Sequence, residues 1–376
     1  MENLLVNKVA AVKEVRQAAE YQKKKQACIL TGLAGSSKPV FFAAADKLLG
    51  GKGSMAFITA SREEIRTYRR ELNYLYPDLP MQELYPVSLP RVQADTQSLE
   101  LQAGRAAALR FLGGEERGIV FITAEALQQK QLRPSGMSGK ALQLAVGEEH
   151  EQRNIAAALL DLGYERTEQV DALGQFCLRG DILDVYPINS STAVRIEWFD
   201  NELDAMRSFD VDTQRSLQTL TSIKIAPLKV DESFSYDADI FEYCAADTMV
   251  VVDEPVHVFS MLEKLDKENK EHASELFGKQ ELIEQLAANG AVLVSALGHS
   301  YLQQLPSLNI PVRAVAPYNK NTNLLVEDLQ NWLAEGITPL IMLSGSIKAR
   351  GFADNLRNYG LKGHFSQKSF QPGVVN

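Results

Sequence analysis

The stretch TGLAGSSKPVFFAAADKLL, residues 31–49, directly follows a short apolar run. A strand, a glycine turn, Ser-Ser-Lys and a helix-like segment occur in this order in phosphate-binding loops of the pattern G-x-x-x-x-G-K-[ST]. Gly32 and Lys38 stand at the spacing of that pattern. Ser37 replaces the second glycine, and Pro39 replaces the hydroxyl residue that would hold Mg²⁺.

Each replacement has a physical consequence. Glycine allows backbone conformations that a Cβ atom makes costly, and Ser37 does not. Pro39 lacks both the hydroxyl and a backbone N–H, although proline fits the first turn of a helix. The stretch is therefore either an ordinary strand-to-helix turn or a phosphate loop by descent. We interpret it as a descendant of a phosphate loop that no longer binds ATP with Mg²⁺.

Composition sets the class of protein. A chain of 376 residues is long enough for two or three domains. The formal net charge of −9 argues against binding nucleic acid through bulk charge, so any DNA contact would be local. The first residues lack a signal sequence, and no apolar run reaches the length of a membrane span. We therefore expect a cytoplasmic protein without a membrane partner.

The sequence contains few candidates for chemistry. Cys28, Cys177 and Cys244 are widely spaced and lie in or beside apolar runs, which is typical of reduced core thiols. The five histidines have no metal-ligand spacing with one another or with cysteine. No G-x-S-x-G motif appears. We therefore expect neither catalytic residues nor a metal site.

The pattern of apolar runs predicts an α/β fold in three sections. In residues 1–140, strands alternate with helices, which favours a parallel sheet covered by helices. In residues 141–228, closely spaced strands separated by turn residues predict a small antiparallel α+β domain. The alternation returns in residues 229–376. The expected architecture is a nucleotide-binding-like domain in two halves with an inserted domain.

Several individual elements are predicted as well. Residues 176–186 are expected to form one strand, residues 262–289 one helix, and residues 340–343 a strand of the sheet. Residues 84–90 are expected to be an irregular connection. Residues 363–376 contain no clear closing element, which is typical of a segment of a longer chain.

MVVVDEP, residues 249–255, has the form of the metal-side motif of a nucleotide-binding sheet. In an intact site, Asp253 would hold Mg²⁺ through water and Glu254 would orient the attacking water. The alternative is a buried strand whose acidic end caps the next helix. Together with the altered loop, the motif indicates a decayed nucleotide site.

The most informative stretch is GQFCLRGDILDVYPINSSTAVRIEWFDNELDAMRSFDVDTQRS, residues 174–216. Alternation along its strand at 194–199 places apolar side chains on one face and Arg195, Glu197 and Phe199 on the other. The first face is expected to be buried and the second exposed. Arginine and aromatic side chains are enriched among the residues that dominate binding energy at protein interfaces.

Arg179 lies on the neighbouring strand, beside Gly180, where a bulge could change the direction of side chains. The binding hypothesis places Arg179, Arg195 and Phe199 at one exposed surface. The alternative is that the arginines form ion pairs with Asp181 or Glu197 while Phe199 lies under a loop. Spacing alone leaves both open.

The motif RGDILDVYP…RIEWFDNELDAMRSFDVDTQRS closely resembles a signature shared by the excision-repair subunit UvrB and the transcription-repair coupling factors. SFDVDTQRS and the altered loop favour the coupling factors, because UvrB has an intact phosphate loop. UvrB also has a long aromatic-rich hairpin that grips DNA. The corresponding stretch here, residues 84–98, is short, and Tyr85 is its only aromatic residue.

The resemblance implies the N-terminal UvrB-like module of a coupling factor, a family of DNA-repair proteins. Residues 141–228 would be the UvrA-binding domain, and Arg179, Arg195 and Phe199 would contact UvrA. The full-length family protein is an ATP-dependent DNA translocase that acts on RNA polymerase and double-stranded DNA. Its motor, which uses ATP and Mg²⁺, would lie beyond residue 376, so this segment would need no cofactor and would not hydrolyse ATP. The degenerate nucleotide site would comprise Gly32, Ser37, Lys38, Pro39, Asp253 and Glu254.

Two other interpretations remain. The chain could be part of a divergent UvrB-like excinuclease subunit with a residual ATP site at residues 32–38 and 253–254. It could also be a binding protein that kept the UvrB-like fold for another partner.

Overall fold

The computed structural model describes residues 4–89, 99–133, 141–228, 236–296, 304–313, 315, 317–341, 343, 345–366 and 371–376. The α-helices of these residues are α1 (Leu4–Ala10), α2 (Lys13–Lys23), α3 (Ser37–Leu48), α4 (Arg62–Leu75), α5 (Leu99–Leu112), α6 (Ala124–Gln128), α7 (Gln152–Asp161), α8 (Pro255–Glu268), α9 (Lys279–Ala288), α10 (Thr322–Ala334) and α11 (Ser346–Asn355). Short 3₁₀ helices occur at Ile240–Tyr243, Lys270–Glu275 and Leu356–Tyr359. The strands are β1 (Cys28–Thr31), β2 (Met55–Thr59), β3 (Met81–Leu84), β4 (Ile119–Thr123), β5 (Gln131–Leu132), β6 (Leu142–Ala145), β7 (Glu165–Arg166), β8 (Gln175–Arg179), β9 (Ile182–Val185), β10 (Ala193–Phe199), β11 (Glu202–Phe209), β12 (Ser216–Leu220), β13 (Ser222–Ile225), β14 (Tyr236–Ala238), β15 (Met249–Asp253), β16 (Val292–Ser295) and β17 (Ser307–Asn309).

A seven-stranded parallel sheet in the order β17-β1-β16-β15-β2-β4-β3 combines strands from both ends of the chain. Every residue of β2, β4, β15 and β16 is buried. Parallel strands covered on both faces require apolar residues at successive positions, which explains why these segments are nearly continuous apolar runs.

Helices cover both faces of this sheet. Apolar residues of α1 to α4 pack on one face, and apolar residues of α5, α6, α8 and α9 pack on the other. The two layers form two separate hydrophobic clusters with the sheet between them. The carboxyl ends of β1 and β15 lie at the same edge of the sheet, separated only by β16.

An antiparallel module lies between β5 and β14 in sequence. Its six-stranded sheet has the order β12-β11-β10-β9-β8-β7, antiparallel except for the short pair of β7 and β8. Helix α7 packs on one face through Ile155 and Leu159, which belong to a hydrophobic cluster separate from those of the parallel sheet. The strands at which the chain enters and leaves this section, β6 and β13, pair with each other.

The predicted fold class, a parallel-sheet α/β domain in two halves with an inserted antiparallel domain, is confirmed. The joints expected at 140/141 and 228/229 border residues outside the described part of the chain. The exact limits of the three sections therefore remain predictions. No described helix combines the length and the apolar character needed to cross a membrane.

Two predicted elements were wrong in their limits. The single helix expected at 262–289 is α8, a 3₁₀ helix and α9. Helix α8 begins earlier, at Pro255, because proline fits the first helical turn. The single strand expected at 176–186 is the hairpin β8–β9, with Gly180 at a φ of 55° in its turn. Gly180 therefore reverses the chain and does not form a bulge.

The C-terminal section also differs from expectation. Residues 340, 341 and 343 are not in a strand, and residue 342 lies outside the described part. Instead, the Ile341 N–H donates to the Asn376 carbonyl at 2.8 Å, and the Asn376 N–H donates to the Pro339 carbonyl at 3.0 Å. The last residues thus pair with the segment before α11, although sequence alone gave no closing element. Of the irregular connection expected at 84–90, residue 84 belongs to β3 because it pairs with β4, and residues 85–89 are irregular as expected. Residues 90–98 lie outside the described part.

Candidate functional sites

The first candidate site is the turn between β1 and α3. Gly32 has a φ of 88°, and a Cβ atom there would lie 2.5 Å from the Ile310 carbonyl oxygen. The carbonyl of Gly32 accepts a hydrogen bond from the Val312 N–H at 3.0 Å. Glycine is therefore required at this position by the neighbouring backbone, without reference to any ligand.

The hydroxyl of Ser37 closes this turn on itself. It donates to the Ala34 carbonyl at 2.7 Å and accepts from the Ala34 N–H at 3.0 Å. The Lys38 N–H donates to the Gly35 carbonyl at 3.2 Å. In a phosphate-binding loop, such N–H groups point at phosphate oxygens. Here they are used within the turn.

Lys38 forms a buried ion cluster with the acidic end of β15. Its Nζ lies 2.7 Å from Asp253 Oδ1 and 2.7 Å from Glu254 Oε1, and the lysine is 7% exposed. Burial by itself lowers the pKa of Lys38, but the charge of Asp253 and the hydrogen bonds that Lys38 donates to both carboxylates outweigh burial and raise it. The lysine is therefore charged and held by two protein carboxylates.

Both carboxylates have further protein partners. Glu254 adopts a left-handed conformation with a φ of 42° and accepts hydrogen bonds from the Ala296 N–H at 3.0 Å and the Ser295 hydroxyl at 3.2 Å. Burial tends to raise the pKa of Glu254, yet Lys38 and these donors bring it below its usual value. Burial, together with the charge of Asp253, raises the pKa of the Tyr68 hydroxyl.

The altered loop and the acidic pair thus meet, as the sequence motifs indicated. Pro39 is buried in the first turn of α3 and supplies no hydroxyl for a metal. Among the described residues, no group of three or more His, Cys, Asp or Glu side chains is arranged to hold a metal ion. Burial raises the pKa of the Cys28 thiol to about 12, so it is not a nucleophile at neutral pH.

The second candidate site is the face of the antiparallel sheet opposite α7. Phe199, at the end of β10, is 78% exposed. The Arg179 side chain is 54% exposed, whereas that of Arg195 is only 20% exposed. The expectation that all three residues form an exposed patch holds for Arg179 and Phe199, whereas Arg195 is mostly buried.

A buried carboxylate explains the position of Arg195. Asp184 on β9 is 1% exposed and pairs directly with Arg195 in the strand register. Its two oxygens accept hydrogen bonds from Arg195 Nε at 2.7 Å and Nη2 at 2.8 Å. Asp184 Oδ2 also accepts from Arg179 Nη2 at 3.2 Å. One carboxylate therefore holds both guanidinium groups.

Other contacts fix the plane of the Arg195 guanidinium. It lies 4.7 Å from the centroid of the Phe209 ring, and its Nη2 also donates to Gln214 Oε1 at 3.2 Å. The hydrogen bond to Asp184 raises the pKa of Arg195 further above its usual value. The described residues offer no hydrogen-bond partner to its Nη1, which leaves that nitrogen for a ligand.

The alternative ion pairs considered from sequence do not form. The arginines bind Asp184, while Glu197 pairs with Arg207 on β11. Phe199 does not lie under a loop, because most of its surface faces solvent. Register shifts in this sheet occur between Glu197 and Trp198 and between Ser208 and Phe209, and not at Gly180.

Comparison with known proteins is consistent with this second site. Residues 142–230 match the family model of the UvrB interaction domain. The chain is 36% identical over 203 residues to the transcription-repair-coupling factor of Bacillus subtilis, covering 54% of this chain and 17% of that protein. It is 28% identical over 165 residues to the Escherichia coli protein of the same name, covering 44% of this chain and 14% of that protein. The chain thus spans less than a fifth of the length of these curated relatives.

Proposed function

We propose that this chain is the N-terminal UvrB-like module of a transcription-repair coupling factor and that its antiparallel module binds UvrA. In this proposal, residues 1–140 and 229–376 form a UvrB-like domain, and residues 141–228 are the UvrA-binding domain. Binding UvrA would bring excision repair to RNA polymerase stalled on damaged double-stranded DNA. Translocation on DNA, with ATP and Mg²⁺, would belong to other parts of the full-length protein.

The observation that carries the proposal is that Arg179, Arg195 and Phe199 lie on one face of the sheet, with Arg179 and Phe199 exposed and Arg195 partly exposed, within the segment that matches the UvrB interaction domain. Both arginines have N–H groups without a partner among the described residues, which suits an acidic partner. Phe199 supplies an exposed ring for an apolar pocket. Arginine and aromatic side chains are enriched among the residues in which interface energy is concentrated.

The test is a calorimetric titration of the full chain with purified UvrA, for the wild type and for alanine variants of the three residues. We expect each of Arg179→Ala, Arg195→Ala and Phe199→Ala to weaken binding by at least tenfold, about 1.4 kcal/mol or more. Unchanged affinity in three folded variants would refute the assignment of this surface.

A residual ATP site, as in a divergent UvrB-like subunit, has less support. Lys38 is engaged by two carboxylates and the loop N–H groups by the loop itself. We therefore propose that this segment is not an enzyme and binds no nucleotide cofactor.

A further inference from the structure

The face that bears Arg179 and Arg195 also contains a buried charge that makes no contact with solvent. Asp184 is 1% exposed, and its two oxygens are shared between two guanidinium groups. A buried carboxylate is costly unless it is paired, so Asp184 depends on these arginines. The reverse dependence is equally informative: the arginines take their orientation from Asp184.

Arginine is long and rotates about several bonds, so an unrestrained guanidinium loses much freedom when it binds a partner. Arg195 has already lost this freedom in the free chain. Asp184 holds two of its nitrogens, and the Phe209 ring covers its plane at 4.7 Å from the centroid. Its Nη1 is the nitrogen left for a ligand. Arg179, held at a single nitrogen, keeps Nε and Nη1 without a partner among the described residues.

We infer that Asp184 is a positioning residue of the binding surface: it orients Arg179 and Arg195 before a partner arrives and makes no contact with that partner itself. This inference rests on the proposed function, because it assigns a role within the surface proposed to bind UvrA. It predicts that the partner places a carboxylate against the free guanidinium nitrogens of Arg179 and Arg195.

Removing the negative charge of Asp184 separates two effects on partner binding: the orientation of the arginines and the net charge of the surface. Asp184→Asn makes the surface more positive, so an acidic partner would bind more tightly if only net charge mattered. If Asp184 positions the arginines, the same variant binds more weakly. The two explanations therefore predict opposite signs.

The matched control is Glu197→Gln, which removes one negative charge from the same face. Glu197 pairs with Arg207, whereas Arg179 and Arg195 form their ion pairs with Asp184. We expect Asp184→Asn to weaken UvrA binding by about tenfold, through the cost of ordering freed side chains. We expect Glu197→Gln to leave it unchanged or slightly tighter. Equal or tighter binding by a folded Asp184→Asn variant would overturn the inference.

A second readout does not require UvrA or a folded Asp184 variant. In the ¹⁵N-labelled full chain, the Arg195 Nε–H is held by Asp184, whereas the Arg179 Nε–H has no partner among the described residues. We expect the Arg195 Nε–H to exchange with water at least tenfold more slowly than that of Arg179. Equal exchange rates would overturn the positioning role. If the wild type fails to bind UvrA while Arg195 exchange is slow, the proposed function fails and the orientation of the arginine stands.

Discussion

The Nζ of Lys38 lies 2.7 Å from Asp253 Oδ1, although the two residues are 215 positions apart in the chain. They meet because β1 and β15 end at the same edge of the parallel sheet. With Glu254 included, one lysine faces two carboxylates in a buried cluster. A site of this kind presents negative charge where a phosphate loop would present positive charge and free N–H groups.

We expect no binding of Mg²⁺-ATP and no ATP hydrolysis by this chain, with or without DNA. Calorimetric titration with Mg²⁺-ATP should give only heats of dilution. The same result is expected for Ser37→Gly/Pro39→Thr, which restores the loop pattern, because Lys38 would still be held by Asp253 and Glu254. Saturable binding, or steady phosphate release that Lys38→Ala abolishes, would contradict this prediction.

Lys38→Met should strongly destabilise the fold. The variant removes the cation of the cluster and leaves the buried Asp253 and the partly buried Glu254 without it. Breaking a buried ion pair on one side typically costs about 3–5 kcal/mol of unfolding free energy. Denaturant titration followed by circular dichroism would measure the loss.

The matched control is Lys267→Met. Lys267 also pairs with a glutamate, Glu263, but both side chains are more than half exposed. Exposed pairs of this type contribute at most about 0.5 kcal/mol. Similar losses in the two lysine variants would show that the Lys38 cluster is not a stabilising element.

The cluster also predicts the pH dependence of stability. The pKa of Glu254 is lower in the folded chain than in the unfolded chain. Its contribution is therefore present above the unfolded value of about 4.3 and lost as pH falls through the folded pKa. The pKa of Lys38 is raised, so its contribution is complete below about pH 10 and lost at higher pH.

The stability difference between the wild type and Lys38→Met should thus be largest between about pH 5 and pH 10. Below about pH 4 it should shrink, because Glu254 becomes protonated and then needs no cation. Thermal melts of the wild type and of Lys38→Met across this pH range would test how their stability difference depends on pH. A difference that is constant down to pH 3 would contradict the assignment to these carboxylates.

Residues 141–228, expressed alone, should fold. They contain their own hydrophobic cluster, and the Tyr164 hydroxyl in it donates to the Ala226 carbonyl at 2.9 Å, which ties the start of the module to its end. Trp198 is 6% exposed and is the only tryptophan of this segment. We expect a β-rich circular dichroism spectrum and a red shift of Trp198 emission on adding urea. A random-coil spectrum would count against an independent domain.

The sequence pattern was enough to predict those elements that depend only on residues close together in the chain. The continuous apolar residues of β2 and β4 and the turn at Asp200 could be recognised from sequence because burial and turn formation act over a few residues. Strand β3 could not, because its sequence Met-Gln-Glu-Leu has no apolar run or strong alternation. It becomes a strand by pairing with β4 at the sheet edge.

The candidate sites show the same limit, because contacts between distant strands cannot be predicted from local sequence. Arg195 can be proposed from alternation along β10 and Arg179 from its place on the neighbouring strand, but Asp184 cannot, because a single strand over residues 176–186 gives no hairpin register. A turn at Gly180 places Ile182 opposite Arg179 and Asp184 opposite Cys177, directly beside Arg195 on the next strand. The glycine was the signal that could have found the buried carboxylate. Long-range register, and not residue type, decides which charges meet.

Phe199→Ala should weaken UvrA binding without changing stability. The ring is 78% exposed, so its removal leaves no cavity in the fold. If the ring fills an apolar pocket of UvrA, its truncation should cost about 2–4 kcal/mol, roughly 30- to 1,000-fold in affinity. Because this contribution is apolar, the loss should be nearly the same at 50 and at about 300 mM salt, whereas binding through Arg179 should weaken as salt rises.

Leu217→Ala provides the matched control. Leu217 lies on the edge strand β12 of the same sheet and is 57% exposed, but it is not part of the proposed surface. Both variants should melt within about 2 °C of the wild type, since each removes a mainly solvated side chain. Only Phe199→Ala should lose affinity for UvrA in calorimetry. Equal losses would mean that the whole exposed sheet contacts UvrA, and a sharply lowered melting temperature for Phe199→Ala would place this ring in the core.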